Sequence, residues 1–252
     1  MTTVSVVIPV RDDAEMLARC LAALAAQTRP ADEIVVVDNG SSDDSASVAR
    51  SAGARVVAEA TPGIPQAASA GYDAASGELI ARLDADSIPP AEWIGYAVER
   101  FERDPSLSVL TGIGDFYGST PLVHTLGRVV YLGGMLVSMT PYLGHAPIFG
   151  SNFVMRRDVW QELGGEVHRS TREIHDDLDL SLHIKPWMRV EYDPEFRVGI
   201  SARPFETLSG LRRRVSWVVP TLRNHWPDDS PWARRAARRR WQTGRDDDRR
   251  SA

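Results

Sequence analysis

The chain has 252 residues, of which 43% are hydrophobic, and a formal net charge of -5. This length and apolar content predict one compact domain with a large core. Cys20 is the only cysteine, which excludes a disulfide within the chain, and its place on an apolar helix face predicts a buried core thiol.

The first sixty residues alternate between apolar strands and helices. Residues 4–10 form a nearly continuous apolar run, typical of a strand buried on both faces, and an Ala- and Leu-rich helix follows. Residues 33–38 repeat the strand and end in Asp38, after which Ser41 or Ser42 is predicted to cap a second helix. With a third strand at residues 54–58, this order indicates half of a doubly wound nucleotide-binding domain.

Two common nucleotide motifs are missing from this region. No Gly-x-Gly-x-x-Gly follows the first strand, so a dinucleotide site is not expected. No Gly-Lys-Ser/Thr loop is present, which excludes a P-loop.

Two carboxylates lie one residue apart after the next apolar segment. Residues 77–83 run directly into Asp84 and Asp86, and a Pro-Pro helix start follows. Such a strand places its acids at the carboxyl edge of a sheet, where open α/β folds bind ligands. Oxygen ligands suit Mg²⁺ or Mn²⁺, which can hold nucleotide phosphates, so group transfer from a nucleotide donor is the candidate reaction. A capping Asp plus a turn Asp is the alternative for an isolated Asp-x-Asp triplet, which recurs at 177/179 and 246/248.

Five segments in this order resemble blocks of family 2 glycosyltransferases with the GT-A fold. They are residues 5–12, 35–43, 77–86, 150–157 and 175–182. The resemblance covers about residues 3–200 and implies a Rossmann-like, mostly parallel sheet flanked by helices. It also implies an inverting hexosyltransferase that depends on a nucleotide sugar and a divalent metal, Mn²⁺ or Mg²⁺.

The resemblance assigns residues to the donor site. These are Pro9, Val10, Arg11, Asp12, Asp38, Gly63, Arg82, Asp84 and Ala85. Asp38 is implied to hold the nucleobase, because a carboxylate accepts a base N–H, with a turn-forming Asp as the alternative. Asp84 is implied to face the ribose or the metal, and Asp86 to be the principal metal ligand.

The acid pair Asp176 and Asp177 begins a predicted helix that runs to Ile184. In the family the second acid of the pair is the general base, which here is Asp177, and Asp176 replaces the more usual Glu. A base of this kind removes the acceptor hydroxyl proton as that oxygen attacks the anomeric carbon. The alternative is that both acids only complement the positive end of the helix.

Two departures from the family pattern bear on function. Ala68 and Ser69 stand where a basic residue and an Asn are common, so either the metal neutralises more of the donor phosphate charge or Arg82 substitutes. The Gln-x-x-Arg-Trp signature of processive synthases is absent, which favours addition of a single sugar.

The predicted organisation is one GT-A domain at residues 1–200, followed by a basic helical extension and tail at 201–252. The nucleotide-binding half covers about 1–115 and the acceptor-binding half about 116–200. Within the latter, the uncharged run 129–142 is too short to span a bilayer and is predicted to form a helix over the acceptor cleft, with contact to a membrane surface as the alternative. The six histidines show no metal-ligand spacing and are interpreted as surface or core residues.

Charge is concentrated at the end of the chain. Residues 201–252 carry 13 arginines and six acidic residues, a net charge of +7, which leaves -12 for residues 1–200. Together with nearby tryptophans, these arginines favour contact with an anionic membrane, and a solvated tail at 231–252 is the alternative. Nucleic-acid binding is not expected, because no recognised module accompanies them.

The expected partners are a nucleotide-sugar donor and a hydroxyl acceptor on a glycan, a lipid-linked molecule or a small molecule. A polyprenyl-phosphate sugar transferase and a non-catalytic nucleotide-binding relative are the alternatives. No signal peptide is recognised, so the expected location is the cytoplasm, either free or peripheral at the inner face of the membrane.

Overall fold

The computed structural model describes residues 1–169, 174–203, 208–226 and 230–251. It describes only the backbone of residues 122, 126, 130, 131, 208–215 and 242–251.

The described residues form strands and helices that alternate over the first half of the chain. The strands are β1 (Val4–Val10), β2 (Glu33–Asp38), β3 (Arg55–Ala58), β4 (Leu79–Arg82), β5 (Leu107–Thr111), β6 (Gly114–Tyr117), β7 (Phe153–Arg156), β8 (Arg189–Tyr192) and β9 (Val198–Ser201). The helices are α1 (Ala14–Ala25), α2 (Ser45–Ser51), α3 (Ile64–Ala74), α4 (Trp93–Arg103), α5 (Pro121–Leu126), α6 (Gly133–Leu143), α7 (Arg157–Leu163), α8 (Asp176–His183), α9 (Leu208–Asn224) and α10 (Pro231–Ser251). A π-helical turn, Gly127–Leu132, joins α5 to α6.

A seven-stranded sheet with the order β3-β2-β1-β4-β7-β5-β8 forms the centre of the molecule. Its strands run parallel except for β7, which is antiparallel to both β4 and β5. A second sheet pairs β6 with β9 in parallel. The predicted fold class, a mostly parallel sheet flanked by helices, is confirmed.

Successive side chains of a strand point to opposite faces of the sheet, so a strand covered on both faces is apolar throughout. In β1, Val6 and Ile8 lie in one core cluster, while Val7 lies in the other. Cys20 is buried in the first of these clusters, as predicted.

The helix after β2 begins later than predicted. It starts at Ser45 instead of directly after Ser41 or Ser42, because those serines belong to the preceding turn. The backbone N–H of Ser41 donates to the Asp38 carboxylate, and that of Ser45 donates to Asp43. Helix α8, by contrast, begins at Asp176 as predicted and ends one residue early.

The C-terminal helices pack on the second half of the domain. Leu222 of α9 contacts a third apolar cluster, which contains Leu178 and Leu182 of α8 and Leu143 of α6. Arg234 of α10 is buried, and its guanidinium donates to carbonyls at the ends of α6 and α8. No helix within the described ranges is long and apolar enough to cross a membrane.

The close packing of α3 on the sheet gives a test of the fold. A Cβ at Gly71 would lie 2.3 Å from Cγ1 of Val7, whereas a Cβ at Gly134 in α6 would meet nothing within 4 Å. We predict that Gly71→Ala lowers the free energy of unfolding by about 1–3 kcal/mol through overpacking. Gly134→Ala should instead raise it by about 0.5–1 kcal/mol, because alanine is the better helix former. Urea unfolding of both variants measures the difference, and equal effects would contradict the packing of α3.

Candidate active site

A cavity of about 690 Å³ lies at the edge of the sheet where β1 and β4 end. Its wall includes most of the residues that the sequence assigned to the site. They are Pro9, Val10, Arg11, Gly63, Arg82, Asp84, Ala85, Asp86, Asp176 and Asp177. Asp84 and Asp86 therefore face the same space as Asp176 and Asp177, although the two pairs are about ninety residues apart in sequence.

Asp84 and Asp86 enter this space from a tight turn after β4. The backbone N–H of Ser87 donates to the Asp84 carbonyl at 2.9 Å, and the Asp84 N–H donates to the Ser87 hydroxyl at 3.2 Å. The Tyr117 hydroxyl of β6 donates to the Asp86 carbonyl at 2.6 Å. These bonds hold the backbone of the turn, so both carboxylates are presented to the cavity by a fixed loop.

Arg82, the last residue of β4, connects the two acid pairs. Its guanidinium donates from Nη1 to Asp176 at 2.6 Å and from Nη2 to Asp84 at 2.9 Å. Its Nη1 also lies 3.0 Å from the Tyr72 hydroxyl. The side chain is only 2% exposed, so these partners compensate the cost of burying the cation. Arg82 lines the cavity, and its Nη1 and Nη2 are engaged whereas its buried Nε has no hydrogen-bond partner among the described residues; its implied contact with the nucleotide sugar stays a prediction.

Asp177 is held by backbone donors. Its Oδ2 accepts from the N–H of Gly150 at 2.9 Å, and its Oδ1 accepts from the N–H of Leu178 at 2.8 Å. Burial, and then the charge of the adjacent Asp176, raise the pKa of Asp177 above its ordinary value of 3.8. A carboxylate with a raised pKa is a stronger base than an exposed one, which is suited to proton removal near neutral pH.

Asp12 and Asp38 lie beside the cavity, outside its described lining. Asp12 has a positive φ of 51° and accepts from the N–H and hydroxyl of Ser42, bonds that lower its pKa. Asp38 accepts from the N–H of Ser41 at 2.9 Å. Both carboxylates thus close local turns, and the role of Asp38 in holding a nucleobase stays a prediction.

Asn39 and Arg203 are site residues that the sequence reasoning missed. Asn39 lines the cavity and ties down the loop before α3, donating to the carbonyls of Glu59 and Thr61 and accepting from the N–H of Gly63. Arg203, after β9, pairs with Asp13 at 2.6 Å and lies 3.7 Å from Oδ2 of Asp86. Arg203 is far from both acids in sequence, so no local motif pointed to it.

The carboxylate oxygens in the cavity wall are ligands that fit a hard divalent ion. Five aspartates and two arginines stand in its wall, and Asp84 and Asp86 offer oxygen ligands from one rigid turn. Carboxylate oxygens suit Mg²⁺ and Mn²⁺, and an anionic donor would otherwise meet an excess of negative charge. Asp86 and Asp84 are the residues that would hold the ion.

The structure brings together three of the histidines that the sequence indicates as surface or core residues. His168, His183 and His225 surround Asp179, with a ligand atom from each of the four residues within 4.8 Å of the others. The three histidines come from the α7–α8 connection, α8 and the segment after α9, so sequence spacing gave no sign of their proximity.

A family model described as glycosyl transferase family 2 matches residues 5–164. This match covers more than half of the chain, which therefore belongs to glycosyl transferase family 2.

Two curated relatives and one solved structure define the similarity further. Glycosyltransferase AglE of Haloferax volcanii is 35% identical over 190 residues, which are 67% of this chain and 60% of that protein. An undecaprenyl-phosphate 4-deoxy-4-formamido-L-arabinose transferase of Sodalis glossinidius is 39% identical over 111 residues, 40% of this chain and 34% of that protein. The chain thus matches no more than three fifths of the length of either relative.

A mannosyltransferase from Pyrobaculum calidifontis, solved with GDP-Man and Mn²⁺, superposes with a TM-score of 0.67. It is 20% identical, and the match covers 88% of this chain and 64% of that one. At this identity the likeness establishes the fold alone, and the GT-A fold expected from the resemblance is confirmed.

Proposed function

We propose that the protein transfers a single sugar from a nucleotide-diphosphate sugar to a hydroxyl acceptor, with inversion and with a divalent metal. The observation that carries this proposal is the convergence of Asp84 and Asp86 with Asp176 and Asp177 on one cavity. The first pair suits a divalent ion that holds the donor diphosphate, and the second pair suits removal of a proton from the acceptor.

The donor side of the cavity lies at the carboxyl ends of β1 and β4, where α/β folds bind nucleotides. Pro9 to Arg11 and Asn39 line this side, and Asp38 stands next to it. A metal ion held by Asp86 and Asp84 would offset the negative charge that develops on the departing diphosphate.

The acceptor side is the start of α8. In the proposed reaction, Asp177 takes the proton of the acceptor hydroxyl while the oxygen bonds to the anomeric carbon of the sugar. The bond from that carbon to the diphosphate oxygen breaks on the opposite face, and the nucleoside diphosphate leaves with its electron pair. Asp176, paired with Arg82, holds the start of the helix in position for this step.

The metal assignment predicts a loss of binding in one variant. Asp86→Ala should abolish Mn²⁺-dependent binding of nucleoside diphosphates while the melting temperature stays close to wild type, because the carboxylate is partly exposed and contributes little packing. Calorimetry with UDP, GDP and ADP, with and without Mn²⁺, measures this. Asp44→Ala is the control, because the Asp44 side chain is exposed and makes no capping hydrogen bond to α2. Unchanged affinity in Asp86→Ala would contradict the metal site.

The base assignment predicts a change in rate and in its pH dependence. Asp177→Asn should lower turnover about 100-fold or more while donor binding persists, the scale of a lost general base. In the wild type, kcat/KM should fall as the pH drops below the raised pKa of Asp177, since only the carboxylate accepts the proton. Asp176→Asn should cost less in rate and should move this fall to lower pH, because the neighbouring charge that raises the pKa is gone.

Two outcomes of that experiment would count against the assignment. A larger rate loss in Asp176→Asn than in Asp177→Asn would place the base one residue earlier. A wild type that binds the donor with Mn²⁺ but neither hydrolyses nor transfers the sugar would be a nucleotide-binding relative without turnover.

A polyprenyl phosphate is the second candidate acceptor. It is favoured by the similarity of part of the chain to a transferase named for undecaprenyl phosphate. The apolar side of the cavity wall suits a lipid chain; it is formed by Phe116, Leu132, Met135 and Trp217.

Two tryptophans near the end of the chain favour contact with a membrane surface, because Trp226 is 59% exposed and Trp232 is 71% exposed. The arginines at 212–214 lie outside the described side chains, and Arg234 is buried, so Arg235 and its exposed neighbours would supply the charge.

Membrane contact predicts salt-sensitive binding to anionic vesicles. The wild type should sediment with phosphatidylglycerol vesicles at low salt, more weakly at physiological salt, and not with phosphatidylcholine, because the Debye length shortens to about 8 Å. Trp232→Ala should weaken this binding, whereas Trp187→Ala, at an exposed tryptophan between α8 and β8, should not. Absence of binding would contradict the proposed membrane contact, and equal binding to both lipids would contradict its dependence on headgroup charge.

A further inference from the structure

The cluster of His168, Asp179, His183 and His225 lies outside the cavity and has no part in the proposed transfer. Asp179 and His183 belong to α8, one turn and two turns beyond the acid pair that faces the cavity. His168 comes from the connection before α8, and His225 directly follows α9. Three separate segments therefore meet at one carboxylate.

Asp179 is an unusual residue to bury. Its side chain is 3% exposed, and its ion-pair partners among the described residues are the three histidines, with no arginine or lysine. Its Oδ1 lies 2.7 Å from Nδ1 of His168 and 2.8 Å from Nε2 of His225. A buried carboxylate is retained in proteins when it is paired, hydrogen-bonded or bound to a metal. Neutral imidazoles can donate hydrogen bonds to it but do not balance its charge.

The arrangement of the rings matches a tetrahedral metal centre. Their centroids are 4.7, 5.1 and 5.7 Å apart, and the planes are inclined by 53° to 75° rather than stacked. Three imidazoles bound to zinc at Zn–N distances of about 2.0–2.1 Å would place their centroids roughly 5 Å apart. The four ligand atoms, all within 4.8 Å of one another, likewise fit one small ion at their centre.

Hydrogen bonds around the cluster hold its members in place. Nδ1 of His183 lies 2.8 Å from the Asp179 carbonyl, and the backbone N–H of His168 donates to Oδ2 of Asp179 at 2.8 Å. Metal-binding histidines and carboxylates are usually oriented by outer contacts of this kind. The ligands therefore have the support that a bound ion needs.

We infer that His168, Asp179, His183 and His225 bind one structural zinc ion that fastens α8 to α9. Three nitrogens and one oxygen complete a tetrahedral set from the protein alone, which is the pattern of structural rather than catalytic zinc. The ion would fix the wall of the cavity, because Trp217 of α9 lines it and the Thr221 hydroxyl accepts from the N–H of His175.

The test uses the full chain, purified without chelators, with Zn²⁺ and Co²⁺ as probes. We expect about one zinc per chain by elemental analysis, a lower melting temperature after chelation, and its recovery on adding Zn²⁺. Replacement by Co²⁺ should give the visible absorption of a tetrahedral site. These readouts are independent of sugar transfer.

Variants separate this site from the donor cavity. His225→Ala should lose the ion, and its melting temperature should no longer respond to Zn²⁺. If His225→Ala fails to fold, His168→Ala gives the same test, because His168 is the more exposed ligand. His145→Ala, at a buried histidine outside the cluster, and Asp86→Ala should both keep the ion. The proposal is overturned if the wild type neither contains zinc nor responds to it. It is also overturned if the ion survives both cluster variants or is lost in Asp86→Ala.

Discussion

The buried guanidinium of Arg82 joins the two halves of the site. Asp84 follows it by two residues, whereas Asp176 lies 94 residues away in sequence. Leaving a buried arginine without its anionic partners costs several kcal/mol, so both carboxylates stabilise the fold. The ion pairs therefore set the separation between the donor side and the acceptor side of the cavity. Because Asp177 follows Asp176 directly, the same contacts also place the proposed base.

An excess of carboxylates gives the cavity its electrostatic character. Acidic groups in a shared space raise each other's pKa and disfavour the binding of an anion. In the proposed site, a divalent cation at Asp86 would reverse this effect for a diphosphate, while the raised pKa of Asp177 would favour its acceptance of a proton. Arg203, between Asp13 and Asp86, supplies positive charge at the same position from the far end of the domain. The proposed arrangement would thus make binding of the nucleotide sugar depend on the metal, with the base on the other side of the cavity.

The sequence predicted those features that depend on local pattern. The strand ending near Asp84 and the helix beginning at Asp176 follow from apolar runs and from acids at helix starts. It could not predict which distant residues meet, because a contact such as that of Arg203 with Asp86 leaves no periodic signal. The contacts of the three histidines with Asp179 likewise leave no periodic signal, so the sequence did not predict their cluster. Charge counting indicated that the arginines of the basic end contact a membrane or solvent, whereas the long side chain of Arg234 reaches carbonyls at the ends of two helices.

The reversed direction of β7 brings its first residues to the edge at which β4 ends, since Phe153 pairs with Arg82. The backbone N–H of Gly150 reaches Asp177 from there, and a Cβ at that position would lie 3.2 Å from Oδ2 of Asp177. Residues 150–152 form a turn before β7, so adding or removing one residue there would move the Gly150 N–H out of hydrogen-bonding distance of Asp177. We therefore expect the wall beside the proposed base to tolerate a change of side chain better than a change of length.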